Sequence, residues 1–341
     1  MPTEWRETDR ITVVDASSQN SPIINISLSN NAQFLAIGYG KQVDIWDLRT
    51  AMPTSPRSIY ESSVNPITAF AWSPNGTRLA LGYQSGIVYV ISLYKKSAPL
   101  EGFPTGISDI RGGIVAALFL GEDVLAIATC DTAEIRFLDQ GSAGERSWKP
   151  IGSLPKPPII QGEHPQGFQI KSMHTVAQGR LLIHYGDGVA VTWNICLNPF
   201  TVRLGKRIEL LGTINDICLE NELVLLTDQL SGTYTLVHLG TGKIHCQFYP
   251  RDFHTQESQP VSMAKFISSE VIISGGVGQL VLWSIENRSR LQNLIYRNQG
   301  KACTFHKATS NGKRKDQLVV ESLSLIEKVT TRDGLHLPTT S

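Results

Sequence analysis

Apolar residues in this chain fall in short runs or alternation, about four to seven residues at a time, with Gly, Ser, Asn and Asp between them. Ile23 to Leu28, Phe34 to Gly38 and Val43 to Leu48 form one such set, closing on Trp46-Asp47. Ile67 to Trp72, Leu79 to Tyr83 and Ile87 to Leu93 form the next, with Ser73-Pro74-Asn75-Gly76 as the turn after the first run. Further sets begin at Gly113-Ile114-Val115, Phe168-Gln169-Ile170, Thr213-Ile214-Asn215 and Pro260-Val261-Ser262-Met263. No stretch keeps a helical period over several turns, so the pattern predicts an all-β chain.

The residues closing the sets, read as the ends of outer strands, are Trp46, Val90, Phe137, Trp193, Val237 and Trp283, spaced 44 to 56 positions apart. That is the period of a four-stranded propeller blade. A lone four-stranded unit cannot bury both of its faces, so such units stack radially, and seven of them is a common closure for this length. The six plain repeats therefore predict a seven-bladed β-propeller of four-stranded antiparallel blades. Its last blade draws on Ala302 to His306, Gln317 to Glu321 and Leu325 to Thr330, and is closed by the N-terminal strand Arg10 to Val14. Closure removes two open sheet edges. Residues 1–9 are then a short N-terminal arm, 10–331 the propeller and 332–341 a disordered C-terminal tail.

These repeats resemble the WD40 family of β-propellers over roughly residues 10 to 331. The likeness is carried by Trp46-Asp47, by Trp193 and Trp283 at equivalent places, by Phe70-Ala71-Trp72-Ser73-Pro74-Asn75-Gly76, and by the period. The chain departs from the family in lacking most Gly-His pairs, with only His164 near such a place, and in keeping one Trp-Asp dipeptide. Measured against that resemblance, the family's buried Asp-His-Ser-Trp hydrogen-bond network is mostly missing, which leaves apolar packing to hold the blades.

With 41% apolar and 18% charged residues and a net charge of +1, the chain can bury a large core. It has no global field to draw it to nucleic acid or anionic lipid, and neither is expected as a partner. Five cysteines without a CxxC pair read as reduced thiols of an intracellular protein. The cytoplasm is the expected compartment, with the nucleus as the alternative. Met1 to Glu7 holds no apolar signal core, and no segment approaches about 18 uninterrupted apolar residues, so neither secretion nor membrane insertion is expected. The sequons at Asn25, Asn75 and Asn287 are then chance matches.

Asp131, Asp187 and Asp228 fall in turns between second and third strands, where an Asp side chain bonds its own backbone. The eight histidines show no HExxH or HxH spacing, and GxSxG is absent. No catalytic residue, cofactor or metal is therefore expected. Ser274-Gly275-Gly276-Val277-Gly278 lies between two strands with no helix after it, which makes it a hairpin turn rather than a phosphate cradle. Lys313-Arg314-Lys315 reads as a solvated turn.

Tyr39, Tyr83 and Tyr185 occupy one equivalent position, where a second strand runs into its turn, and this places them toward one rim. A polar-tipped aromatic there can anchor a partner, or it can fill a gap between blades. The long connection after the third repeat holds an outer strand near Trp148 to Leu154, then Pro155, Pro157, Pro158 and a loop through His164 over the same rim. Proline reduces the entropy such a loop loses on docking.

These readings lead to a non-catalytic interaction scaffold that presents Tyr39, Tyr83, Tyr185, Pro155, Pro157 and His164 to a protein or peptide. One alternative is a hydrolase-like propeller enzyme with its site at the channel mouth. Another is a reader of ubiquitin or modified peptides, which needs an Arg cluster or an aromatic cage.

Overall fold

A computed structural model of the chain describes residues 6–11, 23–39, 42–49, 57–60, 65–93, 105–140, 146–158, 168–177, 179–210, 212–228, 231–249, 264–276, 279–295, 305–308, 317–322 and 325–330. Strand β1 spans Arg6–Ile11. Blade one comprises β2 (Ile23–Leu28), β3 (Phe34–Tyr39), β4 (Gln42–Asp47) and β5 (Arg57–Tyr60). Blade two comprises β6 (Ile67–Trp72), β7 (Arg78–Tyr83), β8 (Val88–Ser92) and β9 (Thr105–Ile107). In blade three β10 (Ile114–Gly121), β11 (Val124–Thr129), β12 (Ala133–Gln140) and β13 (Arg146–Leu154) follow, and in blade four β14 (Ile170–Ala177), β15 (Arg180–Tyr185), β16 (Val189–Leu197) and β17 (Phe200–Glu209). Blade five holds β18 (Thr213–Cys218), β19 (Leu223–Thr227), β20 (Tyr234–His238) and β21 (Ile244–Phe248). Blade six holds β22 (Ala264–Phe266), β23 (Val271–Gly276), β24 (Gln279–Ser284) and β25 (Ser289–Ile295), after which come β26 (Phe305–Ala308), β27 (Gln317–Ser322) and β28 (Leu325–Thr330).

The fold is an all-β propeller of small four-stranded antiparallel blades, each with its strands in sequence order. The blade count corrects the expectation of seven. Six blades are built from four consecutive strands each. The strands expected to make a seventh form a sheet of different make, in the order β1-β28-β27-β26, drawn from both ends of the chain. Its backbone pairing is described, with β26 running beside β2 and β22, but its side chains lie outside the described residues, so it is counted apart from the six packed blades. The N-terminal strand in this sheet is Arg6–Ile11, not Arg10 to Val14, and it pairs from Arg6 with Thr330 to Ile11 with Ile326. The tail 332–341 falls outside the described residues.

Trp46, Val90, Phe137, Trp193, Val237 and Trp283 lie on the third strand of their blades, one strand inside the edge assigned to them from sequence. The fourth strands carry a repeated irregularity. Their pairing with the third strand slips by one residue at Ile135/Arg136, Val191/Trp193, Leu236/Val237 and Leu282/Trp283, which adds twist at the blade's outer side. The turns repeat as well. Ser73 Oγ donates to Asn75 Oδ1 at 2.8 Å and accepts from Arg78 N, with Gly76 at φ 70°. In blade one Ser29 Oγ donates to Asn31 Oδ1 at 2.8 Å and accepts from Phe34 N, with Ala32 at φ 57°. A side chain that satisfies the turn's own backbone makes Ser-x-Asn a sequence-local stop for the first strand.

The chain forms two compact units, one of Met1–Ile37, Asp44–Arg57 and Leu211–Ser341, the other of Gly38–Val43 and Ser58–Leu210. In the second unit β11 shows why a second strand reads as an unbroken apolar run. Leu125 and Ile127 pack toward blade two with Val90, Ile114 and Trp148, while Val124, Ala126 and Ala128 pack toward blade four with Ile183 and Trp193. Alternate residues point to opposite faces, and both faces are covered. Arg136, buried on the neighbouring β12, is neutralised by Asp109 at 2.9 Å and Glu134 at 2.7 Å.

In the first unit the core between blades five and six joins Leu225, Leu236 and Phe248 to Phe266, Ile272, Val281 and Trp283. Ser274, assigned from sequence to the hairpin turn, sits on β23, where its fully buried hydroxyl accepts the Trp283 indole N–H at 2.9 Å. This buried serine–tryptophan link joins β23 to β24.

Candidate functional site

The three tyrosines do end equivalent strands, β3, β7 and β15, as their spacing predicts. Their exposure differs from that of a rim anchor. Tyr83 is 1% and Tyr185 3% exposed, and only Tyr39 is partly open. Tyr83 packs edge-on against Tyr89 at 5.6 Å, and Tyr185 against Phe168 at 6.0 Å. Burial pushes the Tyr185 hydroxyl up to about 12. Two of the three thus act as packing. Pro155 is exposed and Pro157 buried, the Pro158 carbonyl accepts from Arg207 at 3.5 Å, and His164 lies outside the described residues. Trp148 and Leu154 fall on β13, the fourth strand of blade three, where their spacing placed them.

His184, next to Tyr185, is buried, and its pKa lies below the ordinary histidine value, first through burial and then through the charge of Lys171. Its unfolded form takes up a proton near pH 6.5 while the folded form resists it, so stability present at neutral pH is lost as pH falls below about 6.5. Replacing His184 by leucine should flatten this part of the pH dependence, read as melting temperature between about pH 7.5 and 5. An unaltered pH slope would contradict the assignment.

Of the three turn aspartates, Asp131 accepts from the neighbouring Cys130 thiol and Asp228 makes contacts within its own turn. Asp228 accepts from Ser231 Oγ at 2.5 Å, and its carbonyl accepts from Gly232 N. No group of three or more His, Cys, Asp or Glu side chains placed to hold a metal occurs among the described residues.

The first unit contains a cavity of about 400 Å³ that the sequence reading did not find. It lies where the first strands of three blades run into their turns: Ser27, Leu28 and Asn30 from blade one, Asp216 to Glu220 from blade five, and Lys265, Phe266 and Ser269 from blade six. Leu28, Cys218 and Phe266 are buried and supply apolar lining, whereas Asp216 and Lys265 are half-buried.

Asp216 holds this region together. Its Oδ2 accepts the Phe266 N–H at 2.9 Å, tying β18 to β22, and its Oδ1 accepts the Ile217 N–H at 3.0 Å. A second tie runs from Asn221 Nδ2 to the Ser269 carbonyl at 2.8 Å. Both bonds link blade five to blade six, each joining a short polar side chain of blade five to the backbone of blade six. Leu219, by contrast, stands 52% exposed beside Glu220.

The arrangement offers buried apolar contact with hydroxyl, amide and both signs of charge around it. That is the chemistry of a site for a mixed polar and apolar side chain. Aligning the repeats at the ends of their first strands, instead of their second, brings Leu28, Cys218 and Phe266 to one level and is the signal by which it can be read. Among the described residues no helix is long and apolar enough to cross a membrane. No protein-family model matches the chain, and no curated protein matches it.

Proposed function

We propose that the chain is a non-catalytic interaction module of WD40-like type, which docks a protein or peptide at the cavity of its first unit. The observation that carries this reading is Leu219, an apolar side chain 52% exposed on the turn that lines a cavity with a buried apolar interior. A large aliphatic group left in water beside such a cavity gains most when a partner covers it. Ile244, Tyr249 and Leu291 of the same unit are exposed as well. Sheets already tied to one another by the Asp216 and Asn221 hydrogen bonds lose little further order on docking, which suits a scaffold. Cys130, Cys196, Cys218 and Cys246 carry free thiols, in keeping with a reducing intracellular compartment as the working place.

The test is affinity capture with the tagged full chain, followed by calorimetric titration of the purified partner against wild type and a Leu219→Glu variant of unchanged melting temperature. The expected result is a partner that binds wild type and the variant about tenfold or more weakly. Equal affinity for both proteins contradicts the site, and failure of any protein to bind contradicts the function.

A further inference from the structure

Blade four ends on β17, and no strand lies beyond it among the described residues. At ten residues, Phe200–Glu209, it is the longest described strand. The other outer strands are poorer templates: β5 has four residues, β9 three, β21 five and β25 seven, and β13 carries Pro150, which lacks the N–H that an added strand would use. Thr201, Arg203, Leu204, Lys206 and Glu209 of β17 are exposed, Leu204 to 47%. Beside them at the hairpin, Leu197 is exposed too.

Charge distinguishes this edge further. Arg203, Lys206 and Arg207 stand against the single carboxylate Glu209. Across the sheet Arg180 lies opposite Asn194, and Asn194 opposite Arg203, so two arginines belong to one row on one face. A basic edge disfavours pairing with a second copy of itself, which would bring like charges together, and favours an acidic strand.

We propose that β17 docks an extended acidic segment of a partner protein as a fifth strand of blade four. The outer side of β17 supplies the ladder, Arg203 meets a carboxylate, and Leu204, the next residue, takes an apolar side chain on the other face. This surface belongs to the second unit and stands independently of the cavity reading.

The experiment uses the full chain and a fluorescein-labelled peptide alternating glutamate and valine, cut to the length of β17, with an alternating lysine–valine peptide as control. Anisotropy should show saturable binding of the acidic peptide and none of the basic one. Arg203→Glu should weaken it about tenfold or more, and Arg203→Gln should act in the same direction if the charge reversal lowers stability. Amide hydrogen exchange along β17 should slow when the acidic peptide binds. The proposal is overturned if the acidic peptide fails to bind, if the variants bind it as wild type does, or if binding leaves exchange along β17 unchanged. The last outcome would mean adsorption by charge alone. Binding of anionic vesicles in place of the peptide would also overturn it.

Discussion

Replacing Trp283 by alanine destabilises the chain by about 3–5 kcal/mol. Trp283 is 8% exposed, within the core shared by blades five and six, and its ring meets Phe248 of β21 at 5.6 Å. Alanine removes nearly all of that contact, and the hydrogen bonds that the Asp216 carboxylate accepts limit how far the two blades can collapse into the space. The substitution also strands the Ser274 hydroxyl, which is fully buried and receives the indole N–H. Trp283→Phe separates the two effects. It keeps most of the apolar volume and loses the bond, at a cost of about 1–3 kcal/mol. Urea denaturation of the two variants should therefore place them in the order wild type, phenylalanine, alanine. A midpoint for Trp283→Ala equal to that of wild type would mean that the register of blade six is wrong.

Deleting Met1 to Asp15 has the second large effect. The deletion removes β1, and with it the ladder that runs along β28 from Thr330 to Ile326. At about 1 kcal/mol net for each backbone bond, the loss is on the order of 4 kcal/mol, and β28 becomes an open edge. The truncated chain should melt lower, and proteolysis should begin between Leu325 and Thr330 at temperatures where the full chain resists. A truncated protein that melts like the full chain would show that pairing of the two chain ends contributes nothing to stability.

Most strands of the six blades were legible because their apolar periods and turn residues agree. Ser73-Pro74-Asn75-Gly76 ends β6 through bonds made within the turn itself, so local sequence suffices there. The N-terminal strand was harder. The apolar stretch Arg10 to Val14 draws attention, yet the pairing segment is Arg-Glu-Thr-Asp-Arg-Ile. An edge strand can carry charge freely, so hydrophobic pattern is a weak guide to its position. The same reason hides β9, three residues long and the outermost strand of its sheet.

The blade count shows a different limit. Six repeats announce themselves by period, whereas a sheet assembled from both ends of the chain has no period to detect. The tyrosines expose a third limit. A ring with a polar tip suits an exposed rim and a buried core equally, and only the burial of Tyr83 against Tyr89 and of Tyr185 against Phe168 decides between them. The cavity depends on three turns separated by long stretches of chain, and Asp216 reveals its part only when Phe266 is seen to donate to it.

Hydrogen exchange on the full chain, free and saturated with its captured and purified partner, tests the central claim most directly. The account predicts slowed exchange at the turns around Cys218 to Glu220 and Phe266 to Ser269, with the buried strand β11 unchanged. A bound partner that leaves both turns exchanging as in the free chain would contradict it.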